Sequence, residues 1–167
     1  KDLSEYDFSN TDLALFSAGA SVSEEYAPKA VSQGCAVVDN SSCFRYDENI
    51  ALIVPEVNGD ELLNYELPNI IANPNCSTIQ MLVALKPIHE EFNIKRIDIT
   101  TLQAVSGTGK EATEELLDQL IAYEGDNNFE NIIYPKQIAN NVLPHCDVME
   151  DNRYTKEENK LLKWQRQ

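Results

Sequence analysis

The sequence predicts an α/β protein whose first half forms a parallel β-sheet. Short apolar runs alternate with segments of helical periodicity, and a strand, a helix and a second strand in succession favour parallel pairing. Glycine, proline and asparagine fall between the runs, where turns are expected. The 167 residues, 43% of them hydrophobic, suffice for one ordinary domain or two small lobes.

The first two strands flank a predicted helix. Residues 12–18, DLALFSA, form a short apolar run of the kind buried in a parallel sheet. The helix that follows has Ser23 as its predicted N-cap and Gly34 as its C-terminal stop. Residues 35–39, CAVVD, then form the second strand.

Two further strands complete the first lobe, and a long helix follows them. The run 50–54, IALIV, ends at a proline, and residues 69–73, NIIAN, follow a turn-prone stretch. A helix is predicted to begin at Cys76 and to run to about His89.

The second half is predicted to form a second lobe. Residues 95–105 alternate between polar and apolar side chains, which indicates a long strand. Residues 111–123 form an amphipathic helix, with its acidic side chains expected in solvent: Glu114, Glu115 and Asp118.

A capping box predicts the start of the last helix. Residues 155–165 begin with Thr155, and Glu158 follows three residues later, so each side chain can bond the other's backbone N–H.

Charge and composition exclude several function classes. The formal net charge of −15 opposes binding to nucleic acid or to an anionic membrane. No apolar stretch reaches 18 residues and the N-terminus lacks the pattern of a secretory signal, so we expect a cytoplasmic protein. The four cysteines are widely spaced without a CxxC pair, which predicts neither a metal site nor a disulfide framework.

Cys76 is a candidate nucleophile. Pro74 biases Asn73 away from helix and Asn75 is a favourable cap, so the helix can hardly begin before Cys76. The unpaired N–H groups and the dipole of a helix N-terminus favour a thiolate over a thiol. Since a free cysteine is also common as a small buried residue, spacing alone leaves a catalytic and a packing role open.

Five motifs carry a resemblance that favours the catalytic role of Cys76. In order they are SAGASVSEEYAPKA, VVDNSSCFRYD, VPEVN, IIANPNCSTIQMLVALKPI and TLQAVSGTGKEA. Together they resemble bacterial aspartate-semialdehyde dehydrogenase. The resemblance implies that residues 1–75 are the C-terminal part of a Rossmann-like NADP-binding domain and that 76–167 begin an α+β catalytic and dimerisation domain. The family's Gly-rich cofactor turn and its catalytic histidine region are expected outside the chain, as in a fragment.

The resemblance also implies a reaction. Cys76 would attack aspartate semialdehyde, hydride would pass to NADP, and phosphate would release β-aspartyl phosphate from the thioester, reversibly, in lysine, methionine and threonine biosynthesis. The implied partners are these small molecules and phosphate, with a homodimer in the full-length enzyme. The chemistry suits cysteine, because its thiolate is nucleophilic near neutral pH and a thioester stays reactive.

Further site residues follow from the same resemblance. Arg45 would bind phosphate in paired hydrogen bonds, although its spacing alone also fits an ion pair with Asp47 or Glu48. Gln103 would orient the substrate near the thioester, and its spacing alone also fits an ordinary polar residue at a strand end. Asn75 would hold substrate or phosphate, or act only as a helix cap. The expected cofactor contacts are Ser17, Ala18, Gly19, Ser106 and Gly107.

The histidines and the overall function each allow more than one interpretation of the sequence. Neither His89 nor His145 matches the family's catalytic histidine motif. The related N-acetyl-glutamyl-phosphate reductase uses the same thioester logic, and a non-catalytic remnant or interaction subunit would keep Cys76 without turning over.

Overall fold

The computed structural model describes residues 2–125, 128–144 and 146–164. It contains two compact units, Lys1–Ile97 and Asp98–Gln167, and each is described by itself. This division rests on contacts within the chain, and the sequence-based domain boundary after residue 75 stays a prediction.

A four-stranded parallel sheet forms the centre of the first unit. Its strands are β1 (Leu13–Phe16), β2 (Ala36–Asp39), β3 (Ala51–Leu52) and β4 (Ile70–Ala72), in the spatial order β1-β2-β4-β3. The α/β fold class and the four predicted strands of this lobe are confirmed, each strand being shorter than its apolar run. Phe16 pairs with Asp39, and Asp39 with Ala72, so three strands end side by side at one edge.

Helix α1 (Ala20–Ser32) connects β1 to β2 and begins earlier than predicted. Its N-cap is Gly19, whose φ of 102° is readily adopted only by glycine. Ser23 is therefore not the N-cap: it lies inside the helix, fully buried, and its hydroxyl donates to Asp39. Gly34, with φ 92°, follows the last turn and confirms the predicted stop.

The core of the first unit lies where α1 packs on the sheet. Small side chains on the helix let it approach closely, and aromatic and aliphatic side chains fill the remaining space. The buried cluster consists of Phe8, Phe16, Ala27, Ala30, Cys35, Val37 and Ile70. The core thus fixes α1 against β1 and β2, and with them the loops at the carboxyl edge.

A short helix, α2 (Pro55–Asn58), lies between β3 and β4 along the chain, and the long helix α3 (Cys76–Phe92) follows β4. Helix α3 spans Cys76–Phe92, which confirms the predicted start, and it continues three residues past His89. At the helical rise, His89 lies about 20 Å along the axis from Cys76. This helix therefore keeps its histidine away from its thiol.

The second unit contains α4 (Lys110–Glu124) and α5 (Lys156–Trp164). The predicted strand over 95–105 is wrong, because residues 93–104 adopt no regular secondary structure and are mostly exposed. A strand exists only through hydrogen bonds to a neighbour, and no described segment pairs with this one.

The helix start predicted from the capping box in the second unit is observed. The capping box is confirmed, since the Thr155 N–H donates to Glu158 Oε2 at 2.7 Å and the Glu158 N–H donates to Thr155 Oγ1 at 3.1 Å.

In the described part of the chain, no helix has the length and apolar character needed to cross a membrane.

One acidic residue of α4 departs from expectation. Glu114 and Asp118 are exposed, but Glu115 is buried and accepts the N–H groups of Ile132, at 3.0 Å, and of Ile133. Its carboxylate thereby holds an irregular segment against the helix. Helical periodicity alone could not show this, because the donors come from a distant loop.

Candidate active site

Three polar side chains link the carboxyl ends of the sheet. Asn40, after β2, donates from Nδ2 to Ser17 Oγ at 3.3 Å, and Asn73, after β4, donates from Nδ2 to Asn40 Oδ1 at 2.7 Å. Two backbone hydrogen bonds join the same strand ends: Asn40 N–H donates to Phe16 O and Asn73 N–H donates to Asp39 O, both at 2.8 Å. The strand ends are thus fixed at the edge where α/β proteins bind ligands.

Arg45 closes the same edge. Its Nε donates to the Asn73 carbonyl at 2.8 Å, and its Nη2 donates to the Asn40 carbonyl at 2.9 Å. The side chain is half-buried. The planar guanidinium therefore ties the loop after β2 to the segment that leads into Cys76.

Cys76 is the first residue of α3 and is exposed. Asn75 occupies the N-cap position with extended backbone but makes no side-chain bond to the helix backbone. Instead its Nδ2 donates to Ser77 Oγ at 2.6 Å, and its Oδ1 accepts from Thr78 Oγ1 at 2.5 Å. The predicted cap is right by position, and its side chain orders the first turn through neighbouring hydroxyls.

The other cysteines of the first unit lie in different surroundings. Burial, and secondarily the charge of Asp12, raises the pKa of the Cys35 thiol, which is fully buried in the core. Burial raises the pKa of Cys43 as well, with smaller effects from Glu24 and Asp39. Because a nucleophile needs both access and thiolate character, these two sites do not suit nucleophilic chemistry.

The loop predicted to contact a cofactor lies between β1 and α1. Ser17, Ala18 and Gly19 are exposed at the carboxyl edge of the sheet. A Cβ placed on Gly19 would meet no atom within 4 Å, so there is room beside the loop. This arrangement fits a nucleotide lying across the edge, with the loop backbone facing it.

Gln103 belongs to a polar cluster of the second unit. Its Nε2 donates to Glu157 Oε1 at 3.3 Å, and its Oε1 lies 3.5 Å from the Cys146 sulfur. Glu157 accepts in turn from Lys160 Nζ at 2.9 Å, and Asp147 lies 3.4 Å from the same nitrogen. The carboxamide of Gln103 is therefore oriented from both ends.

Two further residues of this cluster, Glu157 and Lys160, carry no motif that points to a site. Burial lowers the pKa of Lys160, but the Glu157 and Asp147 carboxylates outweigh it, so the net shift is upward and the ammonium is retained. A spacing of three residues on α5 puts both side chains on one face, which is the signal that could have found them. The cluster thus places a carboxylate beside Gln103, and the Lys160 ammonium holds that carboxylate from its other oxygen.

The remaining predicted positions have simpler surroundings. Ser106 and Gly107 lie in an exposed 3₁₀ turn, Val105–Gly107, just before α4. His145 lies outside the described residues.

Comparison with known proteins defines the class first. The model of the semialdehyde dehydrogenase NAD binding domain matches residues 1–65, and the model of the semialdehyde dehydrogenase dimerisation domain matches residues 85–167. A parallel sheet with ligand-ready loops at its carboxyl edge and a cysteine at a helix start agrees with an oxidoreductase of this class.

Individual proteins similar to this chain identify the family within that class. The aspartate-semialdehyde dehydrogenase of Legionella pneumophila is 56% identical over 96% of this chain and 46% of its own length. A Vibrio cholerae structure of aspartate semialdehyde dehydrogenase II complexed with ASA matches with a TM-score of 0.94 and 46% identity, over 99% of this chain and 49% of that one. A Candida albicans aspartate semialdehyde dehydrogenase with NADP matches with a TM-score of 0.50 and 30% identity, over 59% of this chain and 31% of that one.

The chain belongs to the aspartate-semialdehyde dehydrogenase family, which confirms the resemblance found in its motifs. It spans about half the length of the curated relatives it matches.

Proposed function

We propose that the protein containing this chain is an aspartate-semialdehyde dehydrogenase that works with NADP through a thioester on Cys76. The observation that carries the proposal is an exposed cysteine at the start of α3, placed at the carboxyl edge of a parallel sheet by the loop that Arg45 ties down. The names of the similar proteins support this substrate over N-acetyl-glutamyl phosphate.

In the proposed reaction the Cys76 thiolate is consumed in the first step and regenerated in the last. The Cys76 thiolate adds to the aldehyde carbon of aspartate semialdehyde, the carbonyl π electrons move to oxygen, and the alkoxide of a thiohemiacetal forms. NADP, when bound, would accept the hydride that leaves this carbon. The Cys76 thioester that results is attacked by phosphate, so the carbon–sulfur bond breaks, β-aspartyl phosphate leaves and the thiolate returns. In the biosynthetic direction the same steps run backwards.

The described residues supply binding and orientation. We assign phosphate binding to Arg45, substrate orientation to Gln103, and substrate or phosphate contact to Asn75. The cofactor contacts would come from two loops: Ser17, Ala18 and Gly19 in the first, and Ser106 and Gly107 in the second. NADP rather than NAD is supported by the Candida albicans neighbour that holds NADP.

The same proposal includes the domain division, the oligomeric state and the cellular compartment of the enzyme. Residues 1–75 would complete the cofactor domain and residues 76–167 would begin the catalytic domain, with a homodimer built through the region that the dimerisation model matches. The enzyme would act in the cytoplasm.

The test uses the protein in its full natural length. NADPH formation from NADP is followed with aspartate semialdehyde, with and without phosphate, for the wild type, Cys76→Ser and Cys35→Ala. We expect turnover that requires phosphate, is lost in Cys76→Ser and is kept in Cys35→Ala, whose thiol lies in the core at the start of β2. Folded wild type without turnover would support the remnant, and turnover with the semialdehyde of N-acetyl-glutamate instead would support the related reductase.

A further inference from the structure

Asp39 is a buried carboxylate that the proposed chemistry does not use. It is the last residue of β2 and has no exposed surface. Its Oδ1 accepts from Ser23 Oγ at 2.6 Å and from the Ser41 N–H at 3.1 Å, and its Oδ2 accepts from Ser41 Oγ at 2.7 Å. No lysine or arginine among the described residues pairs with it.

Such a group is costly to bury. Removing a carboxylate from water without a counter-ion is unfavourable unless donors replace the lost water, and here three donors do so. An apolar side chain would fill the same volume at lower cost if packing were its task. Both oxygens act as acceptors, which a carboxylate provides and an amide does not. The site therefore requires the geometry that this carboxylate imposes.

That geometry passes along the loop to Arg45. Ser41, fixed by Asp39, accepts the Cys43 N–H on its Oγ at 3.1 Å, so the turn after β2 is tied at two places. Arg45 comes two residues later and reaches back to the Asn40 and Asn73 carbonyls. Asp39 thus holds the near end of the loop, and Arg45 holds the far end.

The same carboxylate joins this loop to the cofactor side. Ser23 lies in the first turns of α1, just after the Gly19 loop, and its hydroxyl bonds Asp39 from the helix. A change at Asp39 would therefore release the Arg45 loop from α1.

We infer that Asp39 is a positioning residue that sets the Arg45 guanidinium for phosphate. The inference rests on the proposed function, in which Arg45 contacts phosphate. Asp39 has no exposed surface for a ligand to reach, so it would act through the turn at Ser41.

The kinetic test uses the full-length protein and four variants: Asp39→Asn, Ser23→Ala, Arg45→Lys and the double variant Asp39→Asn with Arg45→Lys. For Asp39→Asn we expect the KM for phosphate to rise about tenfold while kcat falls less than about threefold, the pattern of weakened ground-state binding. The KM for NADP should change less. Because both residues act on one subsite, the double variant should bind phosphate no more weakly than Arg45→Lys alone. A merely structural role would give additive losses.

Two kinetic results overturn the inference. They are an unchanged KM for phosphate in Asp39→Asn, and effects that add to those of Arg45→Lys. If Asp39→Asn does not fold, Ser23→Ala, which removes one of the three donors, takes its place and must raise the same KM in the same direction.

Hydrogen exchange separates this inference from the proposed function. Amides of residues 40–45 should exchange faster in Asp39→Asn than in the wild type, whatever the enzyme's activity. Equal exchange would overturn the inference. Faster exchange in a protein without phosphate-dependent turnover would keep the anchoring of the loop and overturn its link to phosphate, together with the proposed function.

Discussion

Arg45→Lys tests whether the guanidinium holds the carboxyl edge of the sheet together. Arginine bonds two carbonyls at once, Asn73 O at 2.8 Å and Asn40 O at 2.9 Å. A lysine ammonium is a compact point charge on a flexible stem, so it can reach one of these carbonyls in place of a planar bridge. The substitution keeps the charge and removes the bridge.

The magnitude follows from one lost bond. A hydrogen bond to a charged group contributes about 1.5–3 kcal/mol, and the half-exposed position reduces this, so we expect a loss of about 1–2 kcal/mol in the free energy of unfolding. Urea unfolding followed by circular dichroism measures it, with the slope against urea compared between variants.

Arg153→Lys provides the matched control, since Arg153 is exposed. Its free energy of unfolding should stay within about 0.5 kcal/mol of the wild type, as is usual for surface substitutions. Equal values for the two variants would refute the bridging role of Arg45.

Three further outcomes are expected. Glu115→Gln should lower the free energy of unfolding by about 2–3 kcal/mol, because one acceptor of a buried, multiply bonded carboxylate becomes a donor, while exposed Glu114→Gln should change it by less than about 0.5 kcal/mol in urea unfolding. Iodoacetamide should label exposed Cys76 well before Cys35, because burial raises the pKa of the Cys35 thiol. Peptide mass spectrometry measures the order of labelling, and the reverse order would refute the assignment of Cys76 as the nucleophile. Lys160, whose pKa is raised in the fold, should contribute stability that is fully present below pH 10.5 and is lost as pH rises through the higher folded value; a Lys160→Met variant with an unchanged alkaline unfolding profile would contradict this.

Local signals account for what the sequence could predict of the fold. Gly34 ends α1 because a glycine with positive φ stops a helix wherever it stands, and the Thr155 capping box marks α5 for an equally local reason. The start of α3 at Cys76 follows from the preceding asparagine and proline.

Contacts between distant segments account for the errors. The stretch 95–105 has the alternation of a strand, yet no described segment supplies the hydrogen bonds that would make it one. Ser23 and Glu115 are polar residues that the sequence placed at a cap and in solvent, and each is buried by partners far along the chain. The spacing of residues within one helix cannot predict hydrogen-bond partners that come from distant segments.

The candidate site divides in the same way. Cys76 could be placed from its neighbours, whereas the bridge from Arg45 to Asn73 joins residues 28 positions apart and becomes visible only in the fold. The Gln103, Glu157 and Lys160 cluster likewise needs α5 folded next to the segment that bears Gln103. The family motifs named Gln103 without its partners.

Trapping the thioester tests the central claim most directly. The full-length protein is mixed with aspartate semialdehyde and NADP in the absence of phosphate, quenched in acid and digested for peptide mass spectrometry. We predict one aspartyl group on the peptide that contains Cys76, formed together with NADPH and lost when phosphate is added before the quench. NADPH formed with no modification at Cys76, or with the aspartyl group on another cysteine, would contradict the account.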